Sequence, residues 1–135
     1  MFTHYRTQGF IFKKEDLGES DQILSIFTRD FGRLEILGKA IRKIQSKLRN
    51  SAILFSLAEI EFNQRKAFKT LTDAVTLKNL KNIRGDLKKL KVAFQISDVF
   101  DKLVGREEKD KRIWNLIVKT FAILNKYQLP TVSYQ

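Results

Sequence analysis

The period of the apolar side chains changes once along this chain, near Asn79, and that change limits the folds open to it. Up to residue 78 apolar residues recur at every second position in short runs, the spacing of one face of a β-strand. Beyond residue 79 they recur every third or fourth position, the spacing of one face of a helix. Tyr5 to Lys14 reads as a first strand, with Asp16-Leu17-Gly18-Glu19-Ser20-Asp21 as a turn. Ile23 to Thr28, apolar on both faces, reads as a central strand, and Leu34 to Lys39 as the next. Between them Arg29-Asp30-Phe31-Gly32 has the composition of a hairpin turn, with Gly32 free to take a positive φ. Leu54 to Asn63 and Phe68 to Leu77 complete five strands, joined by a short connection at 63–66.

Five strands within about eighty residues leave no room for crossover helices, so the expected fold class is mainly β plus α. A five-stranded OB-fold barrel over residues 1–80, followed by a helical region over 81–135, fits this pattern. An SH3-like barrel is the nearest rival, and periodicity does not separate the two. Leu87, Leu90, Val92, Phe94, Ile96, Val99, Phe100 and Leu103 predict one broad apolar helical face, with Gly105 near its end. Ile113, Trp114, Ile117, Val118, Phe121 and Leu124 predict a second. Pro130 is expected to end regular structure, and the helices to dock on the strands.

Charge narrows the function. Twenty-six Lys and Arg face fifteen Asp and Glu, a formal net charge of +11. That exceeds the magnitude of about 2–8 that suits a small soluble domain, and it raises the local concentration of polyanions. The excess is concentrated in Lys39-Ala40-Ile41-Arg42-Lys43-Ile44-Gln45-Ser46-Lys47-Leu48-Arg49-Asn50, which has five cations and no carboxylate. A loop carrying Lys39, Arg42, Lys43, Lys47 and Arg49 between two strands suits a phosphate backbone, because each cation displaces condensed counterions whatever the base sequence. Arg29 and Arg33 flank Phe31 at the hairpin tip, where an exposed ring would stack on a base. Arg65 and Lys66 add charge at the next turn. A second basic stretch, from Lys78 through Lys81, Arg84, Lys88, Lys89 and Lys91, doubles as the polar face of the first helix.

Signals for catalysis are poor. The chain has no cysteine and one histidine, His4, near its start, which excludes cysteine zinc sites and Cys–His pairs. Gly32 to Lys39 imitates a phosphate loop, but the glycine spacing is wrong and Ala40 stands where a hydroxyl should bind magnesium. Glu15, Asp16, Glu19 and Asp21 lack calcium-loop spacing. The expectation is a protein with no enzymatic activity, no metal and no cofactor. With no apolar run long enough to span a bilayer, it is expected to avoid membranes and to act in the cytoplasm.

The order of these features resembles the start of the RecO recombination mediators. Tyr5-Arg6-Thr7-Gln8-Gly9-Phe10-Ile11-Phe12 precedes the acidic Leu17-Gly18-Glu19-Ser20-Asp21 turn. The Thr28-Arg29-Asp30-Phe31-Gly32 hairpin and the basic Lys39-Ala40-Ile41-Arg42-Lys43 segment follow in that family's sequence. The resemblance implies an amino-terminal OB-fold and a helical domain. It also implies binding of single- and double-stranded DNA, strand annealing, and work in recombinational repair with RecR and single-stranded-DNA-binding protein. It places Lys39, Arg42, Lys43, Lys47 and Arg49 on the family's basic loop. The four-cysteine zinc site of some members has no counterpart here.

Overall fold

The computed structural model describes residues 3–43, 45–105 and 107–128. Five strands lead: β1 (Thr3–Leu17), β2 (Asp21–Thr28), β3 (Gly32–Gly38), β4 (Leu57–Gln64) and β5 (Lys69–Lys78). Three helices follow: α1 (Lys81–Gly85), α2 (Leu87–Leu103) and α3 (Lys111–Lys126). The strands pair in the ring β1-β2-β3-β5-β4 and close into a barrel, the five-stranded OB arrangement. β1 serves two partners: residues 3–10 pair antiparallel with β4, and residues 9–17 with β2. A bulge between Ile11 and Lys13 lets the strand bend from one partner to the other.

The barrel closes where β3 meets β5 in parallel. That seam has a single register pair, Leu37 with Thr70, whereas the other junctions are ladders of seven or eight pairs. Inward residues fill the barrel, among them Ile11, Leu24, Ile26, Leu34, Ile36, Ile60, Phe62 and Leu71. Outward-facing Phe10, Phe12 and Phe27 form a second core with Phe100, Trp114, Ile117 and Phe121 of the helices. Phe12 stacks on Phe27 with ring centroids 3.8 Å apart, and Phe10 on Phe121 at 4.1 Å. The helices therefore sit on the outer face of β1 and β2.

Local chemistry sets the helix starts. Asp86 caps α2 by accepting from the backbone N–H of Lys88 at 2.9 Å, and Asp110 caps α3 by accepting from Arg112 at 3.0 Å. The short α1 begins after Leu80, whose φ is +52°, and sequence reasoning missed it. Two other expectations need correcting. Leu54 belongs to a turn rather than to β4, which starts at Leu57 after Phe55 has taken φ +57°. The buried stripe of α2 is Lys89, Ala93, Ser97 and Phe100, so Leu87, Val99 and Leu103 face outward, while the half-exposed Phe94 meets the buried Phe55 ring edge-on at 5.0 Å. Lys89 is inside because its Nζ donates to the carbonyl of Asn125 at 2.9 Å near the end of α3, where the helix dipole favours a cation. The expected face of α3 is the one it buries, with Ile113 and Val118 at its margins. Pro130 lies outside the described residues.

Candidate functional site

The 39–56 connection between β3 and β4 is a folded element. Its backbone makes successive tight turns, with Lys43 N–H donating to Ala40 O at 3.1 Å and Ser46 N–H to Lys43 O at 3.0 Å. Ile41 and Ala52 are buried, and the half-buried Leu48 packs with them against the barrel core. This apolar spacing explains how the segment displays its charge: Ile41, Leu48 and Ala52 turn inward, and the cations between them turn out. Lys39, Arg42, Lys43, Lys47 and Arg49 are all exposed. Ile44 lies outside the described residues.

Polar contacts hold the element to the barrel. Ala40 N–H donates to the Asp21 carboxylate at 2.6 Å and Arg42 N–H to Ser20 O at 2.9 Å. Lys14 Nζ donates to Ala52 O at 2.6 Å, and burial pushes that ammonium below its ordinary pKa. Arg42 is partly committed, since its guanidinium donates to Gly18 O at 3.3 Å and lies 3.6 Å from the Asp16 carboxylate. Among the described residues, Lys39, Lys43, Lys47 and Arg49 have no carboxylate within 4.0 Å. The acidic turn of 16–21 thus positions the basic loop and neutralises one of its five cations.

The remaining expected contacts are spread over the barrel. Arg29 is exposed beside Asp30, with 3.2 Å between guanidinium and carboxylate. Asp30 also accepts from the Thr7 hydroxyl at 2.7 Å, which with Arg29 holds its carboxyl below the ordinary pKa. Phe31 is half-buried: its ring meets Tyr5 edge-on at 5.3 Å and Phe62 at 5.9 Å, so it caps the barrel interior. Arg33 is buried, 8% exposed. It pairs with Asp101 of α2 and with Glu35 at 3.2 Å, and lies over the Phe12 ring at 5.6 Å. Burial lowers the Arg33 pKa, and the hydrogen bonds to Asp101 and Glu35 outweigh it, so the guanidinium titrates above its usual value. Arg65 and Lys66 are exposed on the β4–β5 turn.

Gln22 pairs with Gly38 at one end of the β2–β3 hairpin and Thr28 with Gly32 at the other. The basic loop leaves from the first end, and Arg29 and Phe31 sit at the second. Six residues of strand separate them, about 20 Å. The parallel register of Leu37 with Thr70 lays the β4–β5 turn alongside β3, between those ends. A groove of about 490 Å³ runs there, floored by Ile23, Glu35 and Leu37 and walled by Phe68, Lys69 and Glu107. Phe68 is 51% exposed. The strand expected from Phe68 starts one residue later, at Lys69, which leaves Phe68 on the turn. The one local signal for its exposure was the polar Arg65-Lys66 turn just before it. Of the second basic stretch, Arg84 donates to Leu54 O at 3.0 Å and Asn79 O at 2.7 Å, and Lys89 is buried. Among the described residues no cluster of His, Asp and Glu could hold a metal ion, and no helix is long and apolar enough to cross a membrane.

Curated DNA repair proteins resemble this chain over most of its length. It is 31% identical over 121 residues to the DNA repair protein RecO of Dehalococcoides mccartyi, covering 90% of this chain and 48% of that protein. It is 23% identical over 128 residues to the DNA repair protein RecO of Halalkalibacterium halodurans, covering 95% and 50%. Against the protein of the same name from Caldanaerobacter subterraneus it is 26% identical over 139 aligned positions, covering 95% and 56%. The chain spans about half the length of these curated relatives. The profile of the family described as Recombination protein O N terminal matches residues 1–80, more than half of the 135. On that match, joined to the barrel and the order of its turns, the chain belongs to the recombination protein O family.

Proposed function

We propose that this chain is a non-enzymatic DNA-binding and strand-annealing module of recombinational DNA repair. The 39–49 loop grips the phosphate backbone with little regard for base sequence. The observation that carries this reading is the state of Lys39, Lys43, Lys47 and Arg49, exposed and, among the described residues, without a carboxylate partner on a loop that is itself anchored. Unpaired cations on a fixed support lose little when they meet phosphate, because they give up no internal ion pair and little loop freedom. Annealing follows from the same electrostatics: cations held against two strands screen the repulsion between their phosphates. No bond is made or broken.

Residues 1–80 supply the DNA-binding barrel in this reading, and the helical residues form a unit docked on it. The names of the relatives support the setting in DNA repair. Cooperation with RecR and with single-stranded-DNA-binding protein, in the cytoplasm, belongs to the same proposal.

The test is fluorescence anisotropy of labelled single- and double-stranded oligonucleotides across a salt series. Replacing Lys39, Lys43, Lys47 and Arg49 together with Ala should weaken binding to every sequence. It should also flatten the log–log salt slope on duplex DNA by about 3–4, near 0.9 per lost phosphate contact. Arg42→Ala alone should change the slope by less than about one, since that guanidinium already faces Asp16. Unchanged affinity and slope in the fourfold variant would refute the assignment.

A further inference from the structure

The groove beside β3 has features that the loop reading does not use. Its wall carries an aromatic ring, Phe68, that is half in water beside the exposed cations of the β4–β5 turn. Elsewhere on the barrel Phe10, Phe12, Phe27 and Phe62 are each 3% exposed or less, and the partly buried Tyr5 and Phe31 pack on each other and on Phe62. Next to Phe68, Lys69 holds its ammonium against Glu107 on the α2–α3 connection. The Lys69 side chain is 17% exposed and that of Glu107 is 63% exposed, so the carboxylate is the partner that water, or another anion, reaches first. The floor offers apolar Ile23 and Leu37 together with Glu35, whose side chain is half exposed.

We infer that this groove is a nucleobase site for single-stranded DNA, in which an unpaired base stacks on Phe68 while its phosphate displaces Glu107 from Lys69. The inference rests on the DNA-binding reading above and goes beyond it by assigning a second contact specific for unpaired strands. Base faces stack on aromatic rings whatever their identity, so the site needs no sequence preference. Glu35 can accept a hydrogen bond from the N–H edge of a base. A duplex keeps its bases stacked inside and cannot offer one to the groove. The loop therefore serves both forms of DNA, and the groove serves one.

The probes are a labelled oligothymidylate single strand and a duplex of equal length, titrated with the full chain by anisotropy at fixed salt. Phe68→Ala should weaken single-strand binding roughly 5- to 150-fold, the loss of one stacked base, and leave duplex binding within about twofold. Phe68→Trp should restore single-strand affinity, and its emission should be quenched as the oligothymidylate binds. Glu107→Gln should strengthen single-strand binding roughly two- to fivefold by freeing Lys69, with the duplex unaffected. Circular dichroism of each variant fixes whether it is folded. If the unsubstituted chain binds neither probe, the DNA-binding reading fails and this inference with it. If it binds both but Phe68→Ala loses nothing, or loses equally on duplex, the groove assignment alone is overturned.

Discussion

Arg33 separates a DNA contact from a structural clamp, and its replacement by Met makes the distinction measurable. The side chain is 9% exposed, while its partners Asp101 and Glu35 are 34% and 50% exposed. Breaking a fully buried pair by removing one member costs about 3–5 kcal/mol, because the survivor stays charged and dry. An exposed pair is worth about 0.2–1 kcal/mol. Here the cation is dry but both carboxylates can rehydrate, and Met still covers the Phe12 ring, which puts the loss near 2 kcal/mol between those limits. For a chain of this length that lowers Tm by about 6–8 °C. Urea denaturation followed by circular dichroism reads the change. Asp101→Asn, made alone and with Arg33→Met, should show coupling of about 1 kcal/mol between the two sites. Duplex affinity of Arg33→Met should stay within about twofold of the parent, since the side chain has its anions inside the fold. An unchanged urea midpoint together with a tenfold loss of DNA affinity would refute the reasoning.

Two further outcomes follow from local geometry. Gly32 sits at φ +68°, and an added Cβ would overlap the backbone carbonyl oxygen of Glu108. Gly18, at φ +65°, has open space around it. Gly18→Ala should therefore cost only the backbone strain, about 1 kcal/mol, while Gly32→Ala should cost at least twice that, both read by urea denaturation. Thr7→Val removes the main hydrogen bond that holds Asp30 below its ordinary pKa. A carboxyl depressed in the folded state contributes stability above its unfolded pKa, and that stability is lost as pH falls through the folded value. The variant should thus be about 1 kcal/mol less stable at pH 7, and the gap should close below about pH 4 in parallel denaturation curves.

What was legible in the sequence is what depends on neighbours along the chain. The strand positions, the Gly32 turn and the basic loop all rest on short-range patterns, and α3 could be read because the residues it buries, Trp114, Ile117, Phe121 and Leu124, recur at helical spacing. The face of α2 could not. Leu87, Val99 and Leu103 are as apolar as anything in the helix, yet the side buried in the fold is that of Lys89, Ala93 and Ser97. Only the position of the Asn125 carbonyl, 36 residues away, makes an inward lysine acceptable there. The burial of Arg33 was hidden for a similar reason. Read locally it is a cation at a hairpin tip, and what removes it from the surface is Asp101, 68 residues downstream. Phe68, expected to open the fifth strand, instead lies on the turn before it with its ring half exposed. Period and composition say which residues prefer burial. Long-range pairing decides which of them obtain it.

The β3–β5 seam gives the barrel one preferred line of rupture. Hydrogen-exchange protection follows the free energy of the smallest opening that exposes an amide. Parting Leu37 from Thr70 breaks far less backbone pairing than opening any ladder elsewhere in the ring. Such an opening leaves β1, β2 and β3 together under the helices, and β4 and β5 together as a hairpin still paired to β1. The two halves would swing apart along β1, moving the β4–β5 turn relative to β3 without disturbing the Phe10–Phe121 contact on the far face. The width of the groove is therefore set by the weakest junction of the molecule, and it can adjust to what lies in it at little cost to the rest of the fold.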